Sequence, residues 1–333
     1  MTAVRRQFLH LAASAATLLA MSRFVRAQTY PSRQITMIVP YPPGGPADVV
    51  GRIVAERMRG ALGQPIIIEN IGGADGSIGV GRAARAKADG YTIVLGTSST
   101  QVLNGALYSL SYDVLNDFAP VSPLARNPEV IFARKVLAND LNELISWLKA
   151  NPNKASAGFG ASGAHLVAWL FRKETGTQFT LVPYRTSNTA MQDLLASQIE
   201  LVFTTPDRLA LMQAGTIKAY AVSGDMRSLA ADIPTFRELG LQSLSFTNWY
   251  GVFAPKATPR EMIGRLNAAT VETLLDPAVR SRLADLGFEV FPAEQQTPER
   301  LGTLVNAGVR KWWRNGSQKI PVPFAPKLAL REV

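Results

Sequence analysis

The sequence predicts an α/β protein of two lobes, and three observations carry that reading. Short runs of isoleucine and valine alternate with amphipathic helical stretches, several of those runs lead into loops of glycine and hydroxyl residues, and the pattern restarts after Pro120-Val121-Ser122-Pro123. A chain of 333 residues with 47% hydrophobic and 18% charged side chains is long enough and apolar enough for two such units.

The first element is not expected to belong to the fold. Residues 1–27 have a basic start, an apolar stretch over 8–21 and the A-x-A-like end Val25-Arg26-Ala27, which is the pattern of a cleaved export signal. The apolar stretch is shorter than the roughly 20 residues of a membrane-spanning helix. Arg5-Arg6 followed by Gln7-Phe8-Leu9 resembles the twin-arginine signal, with an ordinary secretory signal as the alternative.

After it, 35–39 reads as a strand and 47–62 as a helix with Val50, Ile53, Val54 and Met58 on one face. A strand at 66–68, a helix at 78–88 and a strand at 92–95 continue a β-α-β-α-β order, which argues for a mostly parallel sheet covered by helices. Beyond the prolines, strands are expected at 130–133, 179–182, 199–203 and 217–222, with helices at 141–150, 164–175, 188–197 and 207–214. The last section offers one strand, 250–254, then helices at 260–275, 279–286 and 298–313. It lacks the strands for a sheet of its own and is expected to pack back on the first unit. That assigns 28–127 plus 248–333 to lobe I and 128–247 to lobe II.

Composition excludes several functions. There is no cysteine, hence no disulfide, thiolate metal site, cysteine nucleophile or lipid-bearing cysteine anchor, and the two histidines, His10 and His165, form no metal cluster. The net charge of +10 falls to +6 when the four arginines of residues 1–27 are removed, and the remaining basic residues are scattered. Nucleic-acid binding therefore has no support.

In sheets of this kind ligands bind at the carboxyl ends of strands, so the loops there carry the functional signal. The loop Pro40-Tyr41-Pro42-Pro43-Gly44-Gly45-Pro46-Ala47-Asp48 enters a helix whose free N–H groups are a candidate carboxylate receptor, although a Pro/Gly turn without a ligand fits the loop equally. Asp48 reads as a capping residue that accepts loop N–H groups. Small and hydroxyl residues recur in 70–77, 96–100 and 158–163, and four such loops imply a cleft.

Gly158, Gly160 and Gly163 satisfy G-x-G-x-x-G, yet residues 153–157 are too polar for a buried parallel strand and no acid stands about twenty residues on, so a dinucleotide site is not expected. No G-x-S-x-G elbow occurs, and His165 would have to be the base of any serine nucleophile. On the first turn of its helix His165 reads either as a cleft residue or as a packing residue.

The ordered set ITMIVPYPPGGPADVVGRIVAERM, IIIENIGGADGSIG, ADGYTIVLGTSST, FGASGAHL, VPYRTSNTAMQDLLASQIELVF, AGTIKAYAVSGDMR, IPTFRELG and WYGVFAPKATP resembles the Bug-type solute-binding receptors of tripartite tricarboxylate transporters. The resemblance implies a type II periplasmic-binding-protein fold, with two α/β lobes joined by crossing strands and closing on a small carboxylate. It implies a periplasmic protein without catalysis, cofactor or metal. The site it implies has Tyr41, Gly44, Gly45, Ala47, Asp48, Gly76, Ser77, Thr97 and Ser98 from lobe I, and Gly160, Ser162, His165, Tyr184, Arg185 and Thr186 from lobe II.

The chain departs from the family pattern at Gln101, where histidine is frequent, at Thr186, where glycine is common, and at Thr204-Thr205, where many relatives carry an acid. Loss of that acid removes a partner for an ammonium group, so the expected ligand is a dicarboxylate or aromatic carboxylate without an α-amino group. The expected partners are this ligand and the membrane permease, with the receptor itself monomeric. The competing class is an exported oxidoreductase with a bound nucleotide. Residues 311–333, with Trp312-Trp313 and Pro321-Val322-Pro323, lie beyond the resemblance and read as a packed extension or as a contact for a membrane partner.

Overall fold

The structure is a computed structural model, and it describes residues 30–224 and 232–313. The export segment 1–27 and the tail beyond Trp313 lie outside the described residues. Lobe I begins with β1 (Ile35–Val39), α1 (Pro46–Leu62), β2 (Ile66–Asn70), α2 (Ser77–Ala84) and β3 (Thr92–Thr97). Strand β1 lies between β2 and β3 and is parallel to both. Alternation decides its two faces: Ile35, Met37 and Val39 pack with Val50, Ile53, Val54 and Met58 of α1, whereas Ile38 packs with Val80 and Val94 on the other side. Burying each such side chain is worth about 1.5–3 kcal/mol before the entropic cost of ordering it.

Helix α1 starts with Pro46 at its first position and ends at Gly63, whose left-handed φ of 69° lets its N–H reach the Arg59 carbonyl at 2.9 Å. Helix α2 stops at Ala84 rather than 88. There the chain tightens, Ala86 N–H bonding Ala83 O at 3.1 Å, and turns toward β3.

Pro120 and Pro123 do not interrupt the fold as the sequence implies. They lie within β4 (Phe118–Pro128), an eleven-residue strand of the lobe I sheet. Pairing of β4 with β10 (Thr247–Pro255) is antiparallel, and its register shifts at Tyr250/Gly251 and at Val252/Phe253, beside the partners of Pro123 and Pro120. Those irregularities accommodate residues that cannot donate to a regular ladder. The short β11 (Glu289–Val290) pairs with the outer edge of β4, so the sheet order is β11-β4-β10-β3-β1-β2.

The second sheet runs β7-β6-β8-β5-β9 and contains β5 (Val130–Arg134), β6 (Ser156–Phe159), β7 (Thr180–Pro183), β8 (Leu201–Thr204) and β9 (Ile217–Val222), while the short α3 (Asn104–Leu107) precedes β4 and α4 (Leu141–Ala150) follows β5. Strand β6 overturns one expectation. The polar approach to Gly158 does lead into a strand, parallel to both β7 and β8, because only Ser156–Phe159 enter the sheet and Ala157 and Phe159 are buried in it. A 3-10 segment, Pro206–Ala214, replaces the α-helix expected at 207–214.

The chain passes between the sheets from β4 into β5 and returns from β9 into β10. Helices α7 (Arg260–Leu275), α8 (Pro277–Asp285) and α9 (Pro298–Trp313) then cover lobe I. At the end of α9, Trp313 Nε1 donates to Val102 O at 2.8 Å and Trp312 lies edge-on to Phe246, so this part of the final segment is packed.

Candidate functional site

One wall of the cleft is the β1–α1 loop. Asp48 organises it by accepting from Gly44 N–H at 2.9 Å, Arg52 Nε at 2.9 Å and Asn70 Nδ2 at 2.8 Å, and Asn70 also reaches Tyr41 O. Burial pushes the Asp48 carboxyl up, but these three donors outweigh it and hold the group below its ordinary value. With Asp48 turned into the loop, the first turn of α1 faces the cleft through Gly45, Pro46 and Ala47. The N–H groups at a helix start have no acceptor within the helix and carry the positive end of its dipole. Beside them Tyr41 Oη and Thr97 Oγ1 lie 3.1 Å apart, and burial keeps the Tyr41 phenol protonated.

The opposite wall comes from lobe II. Helix α5 (Ser162–Thr175) follows β6, and α6 (Ser187–Leu195) follows β7 with Thr186 as its N-cap. A Cβ on Gly160 would stand 2.6 Å from Ser187 N, so glycine is what lets these two loops approach. The N-terminus of α5 is already filled by lobe I. Asp75 Oδ2 accepts from Ser162 N–H at 3.0 Å and from the Ser162 hydroxyl, and Ser162 Oγ is also 3.0 Å from Asn104 Oδ1. Burial raises the Asp75 carboxyl to about 6 against the opposing effect of the Ser162 bonds. Ala74 and Asp75 hold left-handed φ of 46° and 49°, a strained turn that points the carboxylate across the lobe boundary.

The floor is made where the chain changes lobes. Glu129 is 2% exposed and receives Asn248 Nδ2 on Oε1 at 2.6 Å, while Ser98 Oγ donates to Asn248 Oδ1 at 3.2 Å. Ser223 clasps the Glu129 backbone, its Oγ accepting from Glu129 N–H at 2.8 Å and its N–H donating to Glu129 O at 2.7 Å. Glu129 and Asn248, with Tyr250, Thr204, Thr205 and Arg185, line the cleft between the two walls, whose empty space is about 650 Å³ with the open mouth included. Among the described residues no cluster of three or more acids and histidines could hold a metal, and no helix is long and apolar enough to cross a membrane.

Residues 50–313 match the family model described as the tripartite tricarboxylate transporter family receptor. The chain belongs to that receptor family. It is 35% identical over 295 residues to protein BugT of Bordetella pertussis, covering 86% of this chain and 90% of BugT. The solved periplasmic binding protein BugD superposes with a TM-score of 0.79 at 33% identity, over 85% of this chain and 96% of BugD. MatC of Rhodopseudomonas palustris, solved with bound malate, gives 0.79 at 33% identity over 85% and 99%. These likenesses establish the periplasmic-binding-protein fold, and the matched family and neighbours are solute-binding receptors. They give no support to a nucleotide-dependent oxidoreductase.

Of the residues singled out in the receptor's sequence, Tyr41, Gly45, Ala47, Thr97, Gly160, Arg185 and Thr186 line the cleft. Others shape it from behind. Gly44 and Asp48 fix the first loop, Ser77 accepts from Asn104, Ser98 holds Asn248, and Ser162 meets Asp75. Gly76, at φ 87°, lets its turn pass Pro40 O, which a Cβ would approach to 2.9 Å. Tyr184 is turned away and donates to Asp193 at 2.7 Å.

His165 is 1% exposed and stacked on Phe159 at 4.8 Å, and burial lowers it to about 4, so it is a neutral packing residue behind the wall. Gln101 is fully buried beside Gly96. Glycines of the G-x-G-x-x-G run serve packing: a Cβ on Gly158 would meet Ile199 and Ala190, and one on Gly163 would meet Asn248. Glu129, Asn248 and Tyr250 were missed, because they enter from the crossing segments and form no local pattern. The only signal for them was the strand-to-strand passage itself.

Proposed function

We propose that this receptor is exported to the periplasm, where as a monomer it captures a small dicarboxylate or aromatic carboxylate between its lobes and presents it to a membrane permease. The observation that carries the reading is the start of α1, turned into a cleft whose facing wall holds Arg185. A carboxylate there meets helix N–H groups, the hydroxyls of Tyr41 and Thr97 and a guanidinium, an arrangement suited to holding an anion without reacting with it. The carboxylate bound by the relative MatC supports the same class. The residues named for ligand contact are Tyr41, Gly45, Ala47, Thr97, Gly160, Arg185 and Thr186.

Titration calorimetry with malate, succinate, benzoate and aspartate tests the reading. Heat from plain carboxylates with a 1:1 stoichiometry is expected, and tight binding of aspartate with none of malate, succinate or benzoate overturns the ligand class. Export through the twin-arginine route is tested by replacing Arg5-Arg6 with lysines in the full chain, which is expected to retain the precursor in the cytoplasm.

A further inference from the structure

The Glu129 side chain has one oxygen accounted for and one not. Oε1 accepts from the Asn248 amide, whose N–H is a donor only, so any proton on the carboxyl resides on Oε2. Oε2 is buried, has no partner among the described residues, and belongs to a side chain that lines the cleft. Its position is fixed from three sides: Ser223 holds the backbone, Asn248 holds Oε1, and Gly163 admits α5 so closely that a Cβ would stand 3.0 Å from Oε1. A buried polar atom held this firmly without a partner is costly until something in the cleft bonds it.

We propose that Glu129 is a specificity-determining residue, donating a proton on Oε2 in a hydrogen bond to the far carboxylate of a dicarboxylate whose near carboxylate rests on α1. This deepens the carboxylate reading and rests on it. The groups facing Glu129 are Asp207 from the 3-10 segment and Tyr250 from β10, with Arg185 on the cleft wall and Asn248 as the neutral neighbour. Burial, with a smaller push from Asp207, raises the carboxyl to about 8, so it is neutral at pH 7. A neutral acid beside a guanidinium pairs with a ligand oxygen, whereas an ammonium would share the cleft with Arg185 and be repelled.

The test is calorimetry of full-length processed protein with malate and with propionate, from about pH 6 to about pH 9.5, for wild type, Glu129→Gln and Glu129→Ala. Wild-type affinity for malate is expected to be flat up to about pH 8 and then to weaken by about tenfold per pH unit as the proton is lost. Glu129→Gln, which donates an N–H at every pH, is expected to bind malate within about threefold of wild type at pH 7 and to abolish the alkaline decline. Glu129→Ala is expected to lose about tenfold for malate and little for propionate. An alkaline decline that persists in the glutamine variant, or a wild-type affinity unchanged throughout, overturns the assignment. Absence of malate binding at every pH overturns the assignment, and absence of binding by succinate and benzoate as well overturns the carboxylate reading itself.

Discussion

Two of the helices that begin at the cleft treat their N-termini in opposite ways. Helix α1 follows a glycine- and proline-rich loop whose one carboxylate, Asp48, is turned inward to hold Gly44, Arg52 and Asn70, leaving the helix start facing the cleft. Helix α5 follows a loop that is also glycine-rich, although without proline, but Asp75 reaches over from the other lobe and bonds Ser162 at its first turn. The same local sequence signal therefore yields a receptor in one lobe and a contact between lobes in the other. What separates them is where the nearest acid points, and the backbone of another segment decides that.

Exchanging the two situations should have the largest effect. Ala47→Asp gives α1 a carboxylate of its own at the cleft wall, and loss of carboxylate binding by on the order of 100-fold or more is expected in calorimetry, with the fold retained by circular dichroism. Removing the inward anchor should act on shape. Asp48→Ala leaves buried donors on Gly44 and Asn70 unmatched and should lower the unfolding free energy by about 2 kcal/mol in urea titration, with weaker ligand binding. Because the Asp48 carboxyl lies below its ordinary value, its contribution is complete above the usual carboxylate range and is lost only as pH falls through that lowered value. The wild-type difference from Asp48→Ala should thus be constant from about pH 6 to about pH 8. The smallest effect belongs to Asp75→Ala, which removes the cap of α5 and should cost about 1 kcal/mol. Its distinctive readout is a larger radius of gyration in small-angle scattering, and an unchanged radius would mean that the lobes do not depend on this contact.

Lobe I was legible in its first half because Ile35–Val39, the Val50/Ile53/Val54/Met58 face and the later isoleucine runs are dense, regularly spaced apolar patterns. Strand β4 was not, since Pro120 and Pro123 normally argue against a strand flanked on both sides, and only the irregular pairing with β10 makes them tolerable. Strand β6 failed for the opposite reason: four residues, half of them Gly and Ser, carry too little apolar signal. In the site, the loops of the first lobe were readable from glycine, proline and hydroxyl content. Glu129 and Asn248 were not, because they stand 119 residues apart and meet only when the two crossing segments pair. Gly76, Ser98 and Ser162 carried correct signals of constraint, but the constraint shapes neighbours of the cleft.

The position of β10 has a consequence for how the chain assembles. Strands β5 to β9 come from one continuous stretch, 130–222, so the second sheet can form as soon as that stretch is available. The first sheet cannot: β10, from 247–255, is inserted between β3 and β4, and until it arrives the two halves of that sheet have no shared ladder. Closure of that gap joins residues more than a hundred positions apart and is entropically the slow kind of step. The lobe that starts first is finished last, and its unpaired strand edges at β3 and β4 are the surfaces most in need of protection while the chain is incomplete.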